Sequence, residues 1–163
     1  ALYFNELVDS MMALGQYGKD LFNLLLETIE GVRAGLSVYT LCRLFEIRIM
    51  ALTGYAPQLD LCVVCKKPPE GVNMGYSFNK NSIICPNCGK YNRPDFWFKA
   101  ATFHYVRKLA SISVAKSERL KIPKMLEKEV ETLTHRLVQN QLGREPKTYA
   151  FIKKMAESVI NTS

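Results

Sequence analysis

The chain has 163 residues, of which 48% are hydrophobic, and it carries 22 lysines and arginines against 15 acidic residues, a formal net charge of +7. This length and composition suit one globular domain with its own apolar core, and they exclude a low-complexity or repeat protein. No apolar run approaches the roughly 18 residues that a membrane span needs, so we expect a cytoplasmic protein.

Residues 2–14 and 19–32 are predicted to form the first two helices, with a turn marked by Gly15 and Gly18 between them. The apolar stripe of the second helix consists of Leu21, Leu24, Leu25 and Thr28. The first residues already have the pattern of an amphipathic helix, and no initiator methionine precedes them. We therefore expect the chain to be a fragment of a longer protein.

Residues 37–54 are predicted to form a central helix, with Ser37 as its N-cap and Gly54 as its C′ stop. Its apolar face repeats at helical spacing and contains Val38, Leu41, Cys42, Phe45, Ile49 and Leu52. Cys42 is interpreted as a core residue because free cysteine is among the most buried residue types. We expect this face to pack against the apolar stripe of a later helix.

An insertion is predicted at residues 55–94, with a hairpin of residues 74–78 and 82–84 joined by the turn 79–81. It carries two closely spaced cysteine pairs, separated by nineteen residues: Cys62, Cys65, Cys85 and Cys88. This spacing suits one structural Zn²⁺ per chain, held by four sulfurs.

Three other uses of these cysteines remain open. Two disulfides need an oxidising compartment, whereas the chain has an odd fifth cysteine and no apolar signal segment. A thioredoxin-like site needs a single reactive pair at a helix start, and these pairs lie in a turn-rich stretch. Iron–sulfur ligation accepts four cysteines, usually at other spacings.

Residues 98–109 and 124–142 and a segment from Tyr149 onward are predicted as further helices, with a break at residues 143–146 before the last one. Their apolar stripes contain Leu126, Val130, Leu133 and Leu137, then Ile152, Met155, Ala156 and Val159. The predicted fold class is mainly α: a single helical bundle over residues 1–163 with an inserted, ribbon-like, zinc-binding segment.

Positive charge is concentrated in residues 99–128, with eight basic against two acidic residues, whereas residues 1–36 have two basic against five acidic residues. Such asymmetry predicts a face that attracts polyanions, nucleic acid being the commonest inside cells, or else a solvated lysine-rich surface. The candidate nucleic-acid-binding residues are Lys66, Lys67, Lys80, Lys90, Arg93, Lys99, Arg107, Lys108, Lys116, Arg119, Lys121 and Lys124. Candidate stacking partners for unpaired bases are Tyr91, Phe96 and Trp97, with core packing as the alternative for the last two.

Five segments together resemble one known family: residues 44–46 (LFE), 51–60 (ALTGYAPQLD), 62–65 (CVVC), 85–88 (CPNC) and 142–144 (LGR). The sequence is similar to the bacterial DNA-repair family RecO over essentially its whole length. The resemblance implies a non-enzymatic, nucleoid-associated mediator of homologous recombination that binds single-stranded and duplex DNA and anneals complementary strands. It also implies that the protein contacts the tail of the single-stranded-DNA-binding protein SSB and works with RecR to load RecA. The family's N-terminal OB-fold barrel has no counterpart here, so the chain resembles the helical, zinc-bearing C-terminal part.

The sequence shows no candidate catalytic constellation. His104 and His135 are isolated, and neither a Ser-His-Asp set nor a glycine-rich phosphate loop is present. We therefore predict that the protein is not an enzyme. The alternative to a DNA-binding mediator is a protein-interaction module that zinc stabilises and that has little DNA affinity of its own.

Overall fold

The structure is a computed structural model that describes residues 1–12 and 18–160, with side chains up to residue 154. Gly15 and Leu14, at the predicted turn and helix end, lie outside the described residues. The helices are α1 (Leu2–Met12), α2 (Lys19–Arg33), α3 (Val38–Leu52), α4 (Pro86–Gly89), α5 (Ala100–Ser111), α6 (Lys124–Leu142) and α7 (Tyr149–Ile160), with a 3₁₀ helix at Val114–Arg119. The strands are β1 (Asn73–Ser77), β2 (Ser82–Ile84) and β3 (Phe96–Lys99). The predicted mainly helical fold is confirmed.

Helix α3 is the centre of the bundle and contacts α1, α2, α5 and α6. Its boundaries follow the predicted signals: the Ser37 hydroxyl accepts a hydrogen bond from the Thr40 amide at 3.3 Å, and Gly54 has φ +83°. Glycine adopts this left-handed conformation without the steric cost of a Cβ atom. Because helices surround α3, its buried residues are spread around the helix instead of forming one stripe.

Polar residues carry part of the contact between α3 and α6. The Tyr39 hydroxyl donates to the Glu127 carbonyl, and Arg43 donates to the Glu131 carbonyl at 3.4 Å. Phe45 is fully buried as expected, but its ring packs on Phe4 of α1, with the ring centroids 4.8 Å apart. The predicted apolar stripe of α6 is buried. The sequence analysis did not predict that polar side chains of α3 would contribute to this contact.

A three-stranded antiparallel sheet in the order β2-β1-β3 packs against the bundle. Its inner face adds Met74, Tyr76, Ile83 and Phe98 to the main hydrophobic core. Strand β3 was not predicted; Phe98 pairs with Met74, and helix α5 begins at Ala100. The aromatic run Phe96 to Phe98 suits a half-buried strand, and pairing with β1 continues through Lys99, so the helix begins two residues later than predicted.

Helix α6 has the predicted bounds and ends at Gly143, whose φ is +66°. The 3₁₀ helix lies between α5 and α6 and packs against α2 and α3. Among the described helices, none combines the length and the apolarity that crossing a membrane requires.

Candidate metal centre and basic surface

The four cysteine sulfurs of residues 55–94, a segment called the ribbon below, form one compact cluster. Cys62, Cys65, Cys85 and Cys88 each place a sulfur within 4.8 Å of the others, and the Cys65 and Cys85 sulfurs are 3.9 Å apart. Four sulfurs at about 2.3 Å from a tetrahedral zinc ion would lie about 3.8 Å from one another. The donor set and its spacing therefore fit a single metal ion.

Each cysteine pair is held by a local turn. In the first pair, the Lys66 amide donates to the Cys62 carbonyl at 2.9 Å, and Lys66 has φ +60°. The second pair starts where β2 ends, and the Gly89 amide donates to the Cys85 carbonyl at 2.9 Å as α4 forms. The two turns meet where the Cys85 amide donates to the Cys62 sulfur at 3.3 Å. The backbone hydrogen bonds of the two turns thus position the sulfurs.

The electrostatics of the cluster favour a bound cation. Burial raises the pKa of Cys62, but backbone amides of Cys65, Cys85 and Val64 outweigh it and lower the pKa to about 6. Burial and hydrogen bonds to the neighbouring sulfurs raise the pKa of Cys88 to about 12. Four thiols this close cannot all ionise without a positive charge between them.

None of the five cysteines forms a disulfide bond. The 3.9 Å between the sulfurs of Cys65 and Cys85 is far longer than the roughly 2.05 Å of a disulfide bond. Cys42 is buried in the main core, where burial raises its pKa to about 12. The prediction that Cys42 is a core residue is confirmed.

The outer face of the sheet supports the cluster. Ile84, Cys62 and Cys85 form a small apolar cluster that is separate from the main core. A Cβ atom on Gly89 would lie 2.5 Å from Trp97 Cη2, so only glycine fits beneath that ring. The sheet is therefore a middle layer between the bundle and the cysteine turns.

The candidate nucleic-acid-binding residues lie at the surface. Eleven of the twelve are exposed, and Lys99 is half-buried. Two of the twelve form ion pairs with carboxylates: Arg107 lies 3.1 Å from Asp60, and Lys99 lies 3.8 Å from Glu129. The other ten form no ion pair with a described residue.

The lysines of the ribbon lie at two opposite ends of its hairpin. Lys66 and Lys67 follow the first cysteine pair, and Lys90 follows the second. Lys80 lies in the β1–β2 turn, and β2 runs from this turn toward Cys85. Lys80 is therefore at the opposite end of the hairpin from the cysteines. Of the others, Arg93 is in the loop before β3, Lys99 ends β3, Arg107 and Lys108 are on α5, Lys116 and Arg119 are on the 3₁₀ helix, Lys121 follows it and Lys124 begins α6.

The three aromatic candidates differ in exposure. Tyr91 is 88% exposed and Trp97 is 45% exposed, so both rings are accessible. Phe96 is partly buried against the main core and stacks on Phe98, with the ring centroids 6.1 Å apart. Phe96 therefore packs against the core, and base stacking by Tyr91 and Trp97 stays a prediction.

A buried polar cluster joins three helices, and the sequence analysis missed it. The Glu46 carboxylate accepts hydrogen bonds from the Tyr3 hydroxyl at 2.5 Å and the Thr134 hydroxyl at 2.7 Å, and it lies 2.9 Å from the Arg43 guanidinium. Burial alone would raise the pKa of Glu46, but Arg43, His135 and the Tyr3 hydrogen bond lower it. The available signal was an arginine and a glutamate three residues apart in an apolar helix.

His135 is not isolated, contrary to the prediction. It is buried, and its Nε2 lies 2.9 Å from Glu145 Oε1. Its ring stacks on Tyr149, with centroids 3.3 Å apart and planes 11° apart. The imidazole therefore links α6 to the start of α7, a contact between elements that no local pattern shows.

Comparison with known proteins identifies relatives. The family described as "Recombination protein O C terminal" matches residues 1–150. Proteins named DNA repair protein RecO are similar: that of Caldicellulosiruptor saccharolyticus is 28% identical over 151 residues, covering 93% of this chain and 61% of the relative. That of Desulforudis audaxviator is 30% identical (96% and 62%), and that of Roseiflexus sp. is 27% identical (100% and 58%). The chain thus spans about 60% of the length of these curated relatives. No solved structure matches the chain.

Proposed function

The chain belongs to the Recombination protein O C-terminal family, and we propose that it acts in DNA repair and homologous recombination as the helical, metal-binding part of a RecO-like mediator. The family match, which covers residues 1–150, carries this proposal. The relatives are named DNA repair proteins, and the four-cysteine cluster agrees with the metal that the resemblance implies.

The metal proposed for the cluster is Zn²⁺, one ion per chain, bound by Cys62, Cys65, Cys85 and Cys88. Four thiolates leave no position open for water or substrate, so the ion would supply structure and no catalysis. Residues 55–94 would then form a zinc-binding insertion within a single domain of residues 1–163. Because the inner face of the sheet belongs to the main core, the ion would fasten only the outer layer.

The proposed ligand is the DNA backbone, single-stranded or duplex. The exposed lysines and arginines of the ribbon, α5 and the 3₁₀ helix would contact phosphates, which supply affinity without sequence information. Following the resemblance, the further partners we propose are RecR and the tail of SSB, with strand annealing and RecA loading as the roles of the complete protein. A mediator of this kind binds and positions other molecules, and it needs no catalytic residues.

A second candidate function is protein interaction with little DNA affinity. It is favoured by exposed apolar side chains on the ribbon: Leu61 is 47% exposed and Val72 is 79% exposed. Apolar side chains that water reaches are common at docking surfaces.

The salt dependence of DNA binding separates the two functions. Fluorescence anisotropy with a labelled single strand and a labelled duplex would be measured over a series of salt concentrations. The DNA-binding proposal predicts that affinity falls steeply and linearly on a log–log plot, since each neutralised phosphate releases counterions. An absence of binding at low salt by the folded, zinc-loaded chain would favour the interaction module.

A further inference from the structure

A polar cavity of about 350 Å³ lies at the turn end of the ribbon, away from the cysteines. Its lining comes from the β1–β2 turn and the C-terminal half of α6 and includes Asn79, Arg136, Gln139, Asn140 and Arg144. We propose that this cavity binds one unpaired nucleobase of a single strand, while Lys80 contacts an adjoining phosphate. The inference rests on the proposed DNA binding and adds a base-binding site to it.

Arg136 provides the stacking surface. Its guanidinium lies 4.3 Å from the centroid of the buried Phe78 ring, and no described carboxylate forms an ion pair with it. The Phe78 ring lies on one side of this group, and Arg136 lines the cavity, where its guanidinium is accessible to a ligand. Unstacked bases commonly lie on arginine planes of this kind.

The amides of the cavity suit the edge of a base. Asn79 and Gln139 make no side-chain hydrogen bond with any described residue, so their donors and acceptors are available. Asn140 donates to the Phe78 carbonyl at 3.4 Å, which fixes its amide at the wall of the cavity. Amides pair with bases because they offer a donor and an acceptor side by side.

The charges favour an anionic ligand over a cationic one. Arg136 lines the cavity and forms no ion pair with a described residue, and Lys80 follows Asn79 in the exposed turn. Arg144 also lines the cavity, but its guanidinium is paired with Glu6 at 3.1 Å. The carboxylate Asp95 also lines it, but one of its oxygens already accepts a hydrogen bond from the Phe78 amide at 2.8 Å. A phosphodiester strand with one base in the cavity would make all three contacts: the base would stack on Arg136 and pair with the amides, and the phosphates would lie near the positive charge.

The test compares a labelled oligothymidine with an oligomer of equal length and charge that has abasic sites throughout. Wild-type chain should bind the oligothymidine about 5-fold or more tightly, which is the smallest effect typical of stacking one base. Arg136→Lys keeps the charge but removes the planar guanidinium. The ratio of the affinity for oligothymidine to that for the abasic strand should therefore fall toward one, while binding to the abasic strand persists. Arg33→Lys, the same change at the exposed end of α2 and outside the predicted DNA-binding set, is the control and should leave the ratio unchanged.

Three outcomes would overturn the base site. Equal wild-type affinity for both strands would leave DNA binding intact and remove the base site. An unchanged ratio in Arg136→Lys would place base contacts elsewhere, and a wild-type chain that binds neither strand would remove the proposed function as well. If Arg136→Lys does not fold, photocrosslinking of wild-type chain to a strand with 5-iodouracil decides the question. Crosslinks to residues 78–80 or 136–144 are expected, and crosslinks only outside them would contradict the proposal.

Discussion

The carboxylate of Glu46 lies 2.9 Å from the guanidinium of Arg43, less than one turn earlier on α3, and both side chains are almost completely buried. Taking two charges out of water is costly, and their attraction offsets that cost only with good geometry and further hydrogen bonds. Tyr3 and Thr134 provide such bonds from α1 and α6. The pair therefore links α1, α3 and α6, because its hydrogen bonds come from side chains on all three helices.

Replacing Glu46 by Gln should destabilise the protein strongly. The change leaves the Arg43 charge buried without its counter-charge, which typically costs about 3 to 5 kcal/mol. Urea denaturation followed by circular dichroism gives the free energy of unfolding. Lys128→Ala is the control: Lys128 pairs with Glu131 at 3.8 Å but is 74% exposed, so its loss should cost less than about 1 kcal/mol. Similar losses in the two variants would contradict the prediction.

Phe45→Ala should cost roughly 3 to 5 kcal/mol because it opens a cavity against Phe4 in the middle of the core. Phe22, which is 64% exposed on α2, offers the matched control. Phe22→Ala removes the same atoms from a site that water already reaches, so its effect on the free energy of unfolding should be small. If both substitutions lower the urea midpoint equally, α3 is not the central helix.

Periodicity and capping predicted α3 and α6 closely because their signals are local. Ser37 and Gly54 fix the ends of α3, and the stripe of Leu126, Val130, Leu133 and Leu137 fixes the buried side of α6. The polar contacts between α3 and α6 could not be predicted in this way. They depend on the partners that Arg43 and Glu46 find on other helices, which are far away in the sequence.

The metal centre and the basic surface were likewise predicted where the signal is local in sequence and missed where it depends on distant residues. The cysteine spacing predicted a cluster of four sulfurs, and the structure brings them together. Strand β3 was missed because pairing between Phe98 and Met74 decides its conformation, and these residues lie far apart in sequence. Likewise, Lys80 belongs to the same insertion as Lys66 and Lys67, but strand direction places it at the other end of the hairpin.

Glu6 should make stability depend on pH in the acid range. Burial raises its pKa, but hydrogen bonds from Thr148, Lys147 and Arg144 outweigh it and lower the pKa to about 2. Since the folded pKa is below the ordinary 4.5, the carboxylate stabilises the fold fully above about pH 4.5 and loses that contribution as the pH falls toward 2. The contribution is on the order of 2 kcal/mol.

Glu6→Gln tests this dependence. Thermal unfolding of wild type and variant would be compared at several pH values between neutrality and the acid limit of folding. The wild type should be more stable at neutral pH, and the difference should shrink as the pH falls. A difference that stays constant across this range would show that Glu6 does not titrate with a lowered pKa in the folded protein.

Cys65→Ser should release the metal and loosen the outer layer of the ribbon. We expect one zinc per wild-type chain by elemental analysis, with sulfur at about 2.3 Å in X-ray absorption spectra. The helical circular dichroism signal should largely persist, because the inner face of the sheet packs into the apolar core. Cys42→Ser is the control and should retain zinc, since Cys42 lies outside the cluster. Collapse of the helices in Cys65→Ser would contradict the idea that the metal fastens only this layer.

Reversing the charge of Lys66, Lys67 and Lys108 to Glu should weaken binding to single strands similarly for all sequences. The salt slope should also become flatter, because phosphate contacts contribute charge and no base information. The matched control reverses Lys19, Lys153 and Lys154, which are exposed and outside the predicted set. If the control loses as much affinity as the test variant, net charge alone explains the effect.

Trp97 is the only tryptophan of the chain, and its ring lies against Gly89, directly after the last cysteine. The fluorescence emission of Trp97 therefore reports on the cysteine side of the sheet. The far-ultraviolet circular dichroism, in contrast, is dominated by the helices of the bundle on the other side. Metal loss should shift the emission of this indole before the helical signal changes. The wild-type chain thus carries an internal optical probe that distinguishes melting of the ribbon from melting of the bundle, without a label.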